Sequence, residues 1–226
     1  RRSLAPERIT AGGTPADFGL PARELALAGA NGRRLFAWYA PAPGATTAVV
    51  LLHGWGGNAG QLLPLAAPLH AAGHAVLLLD ARCHGRSDED DFASMRRFAE
   101  DLECALDWLR RQPATAEARL AAVGHSVGVA AALLAASRDE RLAAVVSIAA
   151  FAHPETVMRR FLAARRIPFV PFGWYALRYV ERVIGRRFEA IAPENTIRAV
   201  RCPLLLVHGA DDATVPVADA QRLAAR

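Results

Sequence analysis

The chain carries three loops whose residue types could together perform acyl transfer. The first is Gly124-His125-Ser126-Val127-Gly128, a G-x-S-x-G set between a short apolar run, Leu120 to Val123, and a helical stretch from Val127 to about Ala136. A turn this tight needs small residues around the serine, and it lifts the hydroxyl above a sheet at a helix N-terminus. Ser126 is therefore the candidate nucleophile. The plainer alternative is an ordinary glycine-rich strand-to-helix turn, which this context disfavours.

The second loop is His53-Gly54-Trp55-Gly56-Gly57, directly after the apolar run Ala48 to His53. Glycines there let the backbone turn amides inward, and acyl transfer needs two such donors for the developing oxyanion. The expected pair is the backbone N–H of Trp55 and of Val127, the residue after the serine. A phosphate-cradling loop is the alternative, but no G-x-x-x-x-G-K-[ST] occurs. His53 reads as a structural residue orienting this loop. The third loop, His208 to Pro216 (HGADDATVP), follows the run Leu204 to Val207 and supplies a carboxylate downstream of the serine, suited to fixing an imidazole tautomer and stabilising the imidazolium.

The elements that must position these loops alternate in type. Leu25 to Ala28 and Leu35 to Ala40 read as two strands joined by an Asn-Gly turn. Further strands are expected at Ala48 to His53, Ala75 to Leu79, Leu120 to Val123, Leu142 to Ala149 and Leu204 to Val207, their continuous apolar character marking burial on both faces. Helices are expected from about Gln61 to Ala72, Phe92 to Gln112, Val127 to Ala136 and Val217 to Arg226. This alternation predicts an α/β fold: a doubly wound, mostly parallel sheet with an antiparallel start. Active sites in such sheets lie outside the carboxyl ends of the strands, where the three loops fall. The domain organisation expected is an irregular N-terminal arm over 1–20, a core of 21–151 and 202–226, and a helical cap or lid insertion over 152–201.

Bulk properties narrow the function. The chain has 226 residues, 53% of them hydrophobic, enough for one α/β domain and against disorder. No run approaches the roughly 18 apolar residues of a membrane span. The net charge is +5, yet all 27 basic residues are arginine, scattered among acids and without a nucleic-acid-binding signature, so no nucleic-acid partner is expected. The three cysteines, Cys83, Cys104 and Cys202, form neither a disulfide framework nor metal-ligand spacing. No metal or cofactor is expected, and a reducing, cytoplasmic location is. No signal peptide reads at Arg1-Arg2, and a leader or anchor upstream stays open.

Four motifs in order, HGWGG, DARCHGRS (Asp80 to Ser87), GHSVG and HGADDATVP, make the chain resemble the α/β-hydrolase superfamily over roughly residues 20 to 226, specifically bacterial serine esterases and lipases of the monoglyceride-lipase and serine-aminopeptidase type. Those proteins share H-G-x-G-G, D-x-R-G-x-G-x-S, G-H-S-x-G and H-G-x-x-D-x-x-V-P. The resemblance implies a serine hydrolase of carboxylic esters, with thioesters and amides as alternatives, acting through an acyl-enzyme on Ser126 with small to medium acyl substrates. Its spacing places the triad acid at Asp212 rather than Asp211, with Glu155 a weaker alternative. Cys83 stands where the family usually has Gly, and reads as a packing residue rather than a catalytic thiol. Val129 stands where a second Gly often follows the elbow.

The family order Ser…Asp…His puts the base about 25 to 30 residues past Asp212. The sequence ends 14 residues past it, with no histidine after His208, so the final strand, the His loop and a last helix are expected beyond Arg226. His84 and His153 lie on carboxyl-end loops out of order, and the His125 ring is expected to point into the core. Between Phe151 and Cys202, arginine pairs alternate with aromatics, suggesting an apolar lid with a basic rim able to favour anionic substrates or rest on a membrane surface, or a solvated helical cap. The alternatives to hydrolysis are a non-catalytic binding protein of the same fold and an acyltransferase using the same site. Oligomeric state is not readable.

Overall fold

The computed structural model describes residues 6–9 and 12–226. Of the expected N-terminal arm, residues 1–5, 10 and 11 lie outside the described residues. Among the described residues seven strands form one sheet in the order β1-β2-β4-β3-β5-β6-β7. β1 (Arg23–Ala28) and β2 (Arg34–Ala40) pair antiparallel, and β2 pairs antiparallel with β4 (Ala75–Leu79). β3 (Thr47–Leu52), β5 (Arg119–His125), β6 (Leu142–Ile148) and β7 (Leu204–Val207) continue the sheet from β4 in parallel. The hairpin turns where Asn31 takes φ 57° and Gly32 φ 67°, the two left-handed residues that an Asn-Gly turn supplies.

The strand period of two divides the core. Val50 and Leu52 of β3 and Leu77 and Leu79 of β4 face α2 (Met95–Arg111) and α3 (Val127–Ala136). Val49, Leu51, Val76 and Leu78 face α1 (Leu63–Ala71). α2 begins three residues later than its pattern implies, because the Ser94 hydroxyl caps it by accepting from the Arg97 amide at 3.3 Å. Likewise a 3₁₀ turn over Ala59–Leu62 precedes α1.

Between β6 and β7 stand α4 (Pro154–Ala164), α5 (Trp174–Ile184) and two single-turn helices, α6 (Phe188–Ile191) and α7 (Pro193–Thr196). Leu177, Ile184, Phe188 and Ile191 bury against the core. Arg160 pairs with both carboxylate oxygens of Asp219 at 2.9 and 3.0 Å, tying α4 to α8 (Val217–Ala224). β7 corrects one expectation. It is a strand over the expected residues but is not buried on both faces: Leu204 and Leu206 pack on the core, whereas Leu205 is 59% and Val207 45% exposed. It is the last strand of the sheet, and the face it shares with α1 is uncovered there among the described residues.

Candidate functional site

The parallel strands direct their carboxyl ends to one side, and the elbow rises there from β5. Ser126 has φ 53° and ψ −115°, a conformation an L residue adopts only under constraint. The constraint is visible. Its amide donates to the Ile148 carbonyl at 2.9 Å, and its own carbonyl accepts from the Val129 and Ala130 amides at 3.1 and 3.2 Å. The flanking glycines are required by close approach: a side chain on Gly124 would overlap the Val129 backbone, and one on Gly128 the carbonyl oxygens of Leu52 and His53. The α3 N-terminus is thereby pressed onto the end of β3, beside the HGWGG loop. Cys83 after β4 (φ 64°) and Ala149 after β6 (φ 54°) are also left-handed non-glycine residues, so strain gathers at this edge of the sheet.

A methyl on Gly54 would lie 3.2 Å from Ser126 Cβ and 3.0 Å from His125 Nδ1, so the HGWGG backbone passes directly over the serine. His53 holds that loop. It is fully buried; Nδ1 donates to the Gly54 carbonyl at 2.7 Å, and Nε2 accepts from the Ala81 amide at 3.1 Å. Burial, helped by the neighbouring His84, lowers its pKa to about 3, which keeps the ring neutral and this tautomer fixed. Neither the Trp55 nor the Val127 amide donates to an acceptor among the described residues; Val127 is the first residue of α3, whose leading amides lack intrahelical partners.

The DARCHGRS loop closes on itself. Asp80 Oδ1 accepts from the Ala59 amide at 2.6 Å, and Oδ2 from the Arg86 amide at 2.7 Å. The Ser87 hydroxyl donates to the Asp80 carbonyl at 2.6 Å and accepts from the Phe36 amide at 2.8 Å. Arg82, fully buried, donates to Asp101 on α2 at 2.7 Å and to Glu100 at 2.8 Å. Cys83 packs inside, its sulfur accepting from the Asp90 amide at 3.3 Å, and burial raises its thiol pKa. His84 is buried in a ring cluster with His53, Phe98 and Trp55, and burial lowers its pKa to about 4.

Asp212 follows β7. Its Oδ1 accepts from the Thr214 and Val215 amides at 2.8 and 2.9 Å, and these bonds, Val215's foremost, lower its pKa. Oδ2 has no hydrogen-bond donor among the described residues, His208 Nε2 standing 3.9 Å away. Asp211 is exposed. Glu155 is engaged with Arg159 at 2.7 Å, and His153 caps α4 through Nδ1 while Nε2 meets Glu189 at 3.2 Å. His125 corrects a second expectation. Its side chain is exposed rather than turned into the core, with the Gly54 backbone against one part of it; burial of part of the ring lowers its pKa, and the Asp212 carboxylate opposes that shift. Its proximity to Asp212 had no signal in the sequence. Among the described residues no group of three or more His, Cys, Asp or Glu is placed to hold a metal ion.

Comparison with known proteins fits this geometry. The family model for serine aminopeptidase, S33, matches residues 44–189. An uncharacterized protein of Mycobacterium tuberculosis is 30% identical over 211 residues, covering 91% of this chain and 68% of that protein. The polyketide transferase af380 of Aspergillus fumigatus is 31% identical over 126 residues, 54% of this chain and 43% of the other. Among solved structures, esterase Pf2001 of Pyrococcus furiosus superposes with a TM-score of 0.79 at 20% identity, over 98% of this chain and 82% of that one. The chain thus spans about two thirds of the length of its M. tuberculosis relative. With the family model running from just before β3 through the elbow and into the helices beyond β6, and the sheet order of the fold in place, the chain belongs to the S33 serine aminopeptidase family of the α/β-hydrolase superfamily.

Proposed function

We propose that the protein is a serine hydrolase cleaving carboxylic esters of small to medium acyl substrates through an acyl-enzyme on Ser126. The observation that carries the reading is the constrained serine with two unengaged amides beside it. In this reading the Ser126 hydroxyl attacks the acyl carbon, and the Trp55 and Val127 amides receive the oxyanion as it forms. A base takes the serine proton and returns it to the leaving group. Asp212, through the Oδ2 that its own loop leaves unengaged, orients that base and stabilises its charged form. The core of 21–151 and 202–226 carries this machinery, and the insertion over 152–201 roofs an acyl pocket as a lid.

The family order places the base after Asp212, and no histidine of these 226 residues follows His208. The test therefore uses the product of the complete reading frame: a fluorophosphonate probe labels Ser126, short p-nitrophenyl esters are hydrolysed, and Asp212→Asn lowers kcat by about 10² to 10⁴. A folded product inert to the probe and to these esters overturns the reading. One relative's name, polyketide transferase, supports acyl transfer to an acceptor other than water as a second reading. Partitioning between hydrolysis and transfer with added alcohol or amine acceptors separates the two.

A further inference from the structure

Exposed apolar side chains concentrate in one place. Thirteen large hydrophobic residues are exposed among the described residues, and seven of them fall between positions 161 and 179. Scattered single exposures are ordinary, but a cluster marks an interaction surface. The cluster is contiguous, because a methyl on Gly173 would lie 2.8 Å from Leu162 and 2.9 Å from the Phe169 ring, so the start of α5 is seated on the end of α4. Phe161, Val170, Phe172, Trp174 and Tyr175 therefore share one tip, with Tyr179 one helical turn further on. α5 buries Leu177, Glu181 and Ile184 and turns its aromatics outward, the reverse of the polar outer face of an ordinary surface helix.

The charges around this tip are predominantly positive. Residues 154–191 hold eight arginines and three glutamates, and each glutamate is engaged: Glu155 with Arg159, Glu181 with Arg178, Glu189 with Asn195. Arg166, Arg182, Arg186 and Arg187 have no acidic partner among the described residues. From Ile167 to Leu177 there is no charged residue at all, and the stretch is bracketed by Arg165-Arg166 and Arg178. Arg165 stacks on Phe161 at 3.5 Å from the ring centre. An uncharged, aromatic tip flanked on both sides by arginines matches a bilayer interface, where rings sit at headgroup depth and guanidinium groups reach lipid phosphates. A protein partner's hot spot has no need of same-sign flanks.

We propose that the α4–α5 tip is a docking surface for anionic membranes. It inserts Phe172, Trp174 and their neighbours roughly 5 to 10 Å into the headgroup region while the flanking arginines bind anionic lipid. This inference is independent of the role given to Ser126. The test is flotation of the full chain with extruded vesicles, of phosphatidylcholine alone or with about one third phosphatidylglycerol. The chain floats with the anionic vesicles, less so at high salt, and far less with phosphatidylcholine alone. Phe172→Ser with Trp174→Ser, and separately Arg165→Glu with Arg166→Glu, each weaken partitioning at least about tenfold, with thermal unfolding unchanged because all four side chains are exposed. A chain that stays off anionic vesicles overturns the proposal, as does equal binding by both double variants. A chain that avoids vesicles but runs as a dimer sensitive to Phe172→Ser also overturns it, by making the tip a protein interface.

Discussion

Two groups of residues at the same edge of the sheet use the same residue types to opposite ends. The first is the loop after β4, with Asp80, His84 and Ser87; the second gathers Trp55 after β3, His125 at the end of β5, Ser126 after it and Asp212 after β7. In the first, the carboxylate and the hydroxyl are engaged internally, while the His84 ring is buried with Nδ1 on the Arg82 carbonyl and Nε2 without a partner among the described residues. Ser87 is buried and bonds Asp80 and Phe36, while both Asp80 oxygens hold amides. In the second set the reactive atoms stand unengaged: the Trp55 and Val127 amides and Asp212 Oδ2 meet no partner within hydrogen-bond reach among the described residues. A serine and an aspartate therefore mark chemistry only where their polar atoms are left available. Where those atoms are closed on one another they form a clasp.

The largest test of this contrast swaps alanine into each serine in turn. Ser126→Ala, in the product of the complete reading frame, lowers ester hydrolysis by about 10⁴ to 10⁶ with unchanged stability. Ser87→Ala leaves kcat within a few fold but lowers stability by about 1 to 3 kcal/mol, since two buried partners lose their bonds. Paired kinetic and urea-denaturation measurements separate the two. A large kcat loss in Ser87→Ala would break the distinction.

The clasp's anchor gives the next largest effect. Asp101 is fully buried and pairs with fully buried Arg82, so Asp101→Ala leaves a cation without its nearest counter-charge. Loss of about 3 to 5 kcal/mol is expected in urea titrations at constant slope. Arg82→Met with Asp101→Leu recovers most of it, because the pair's worth lies in not being broken singly.

The sequence made the strands and the elbow legible because apolar runs bounded by Gly, Pro or charge admit few alternatives. Ala75–Leu79, Val127–Ala136 and Leu204–Val207 stand over the expected residues. What it could not display were relations between distant residues. The start of α2 looked earlier because Phe92 extends the helical pattern, but the Ser94 cap decides. The exposure of Leu205 and Val207 depends on what lies across the sheet, which an apolar run does not encode. The elbow motif names His125 without saying which way it faces, and its neighbour Gly54 lies 71 residues earlier in the chain. DARCHGRS was visible as a motif, yet its partners, Phe36 and Asp101, lie far along the chain.

The smallest effect probes the joint between the loops after β3 and β4, where the His53 and His84 rings stand 5.1 Å apart. Burial lowers His84 to about 4, whereas an unfolded histidine titrates near 6.5. Between those values the unfolded chain binds a proton that the folded chain refuses. The stability that His84 contributes is therefore complete above about pH 6.5 and falls as pH drops toward 4, by up to about 1.4 kcal/mol per pH unit. Asp101 works in the other direction, since burial raises it to about 7 and its effect falls as pH rises. A variant difference cancels that opposing slope. His84→Asn keeps a donor for the Arg82 carbonyl, which His84 Nδ1 meets at 2.8 Å, while removing the titration. The slope of stability between pH 6 and pH 4.5 should flatten in the variant relative to the parent. Equal slopes would mean that the ring cluster tolerates the charge. A flattened slope leaves His53 as the acid-sensitive histidine remaining in this ring cluster, and it holds the carbonyl of Gly54 one residue before the Trp55 amide. Acid would then loosen the unengaged loop through the engaged one.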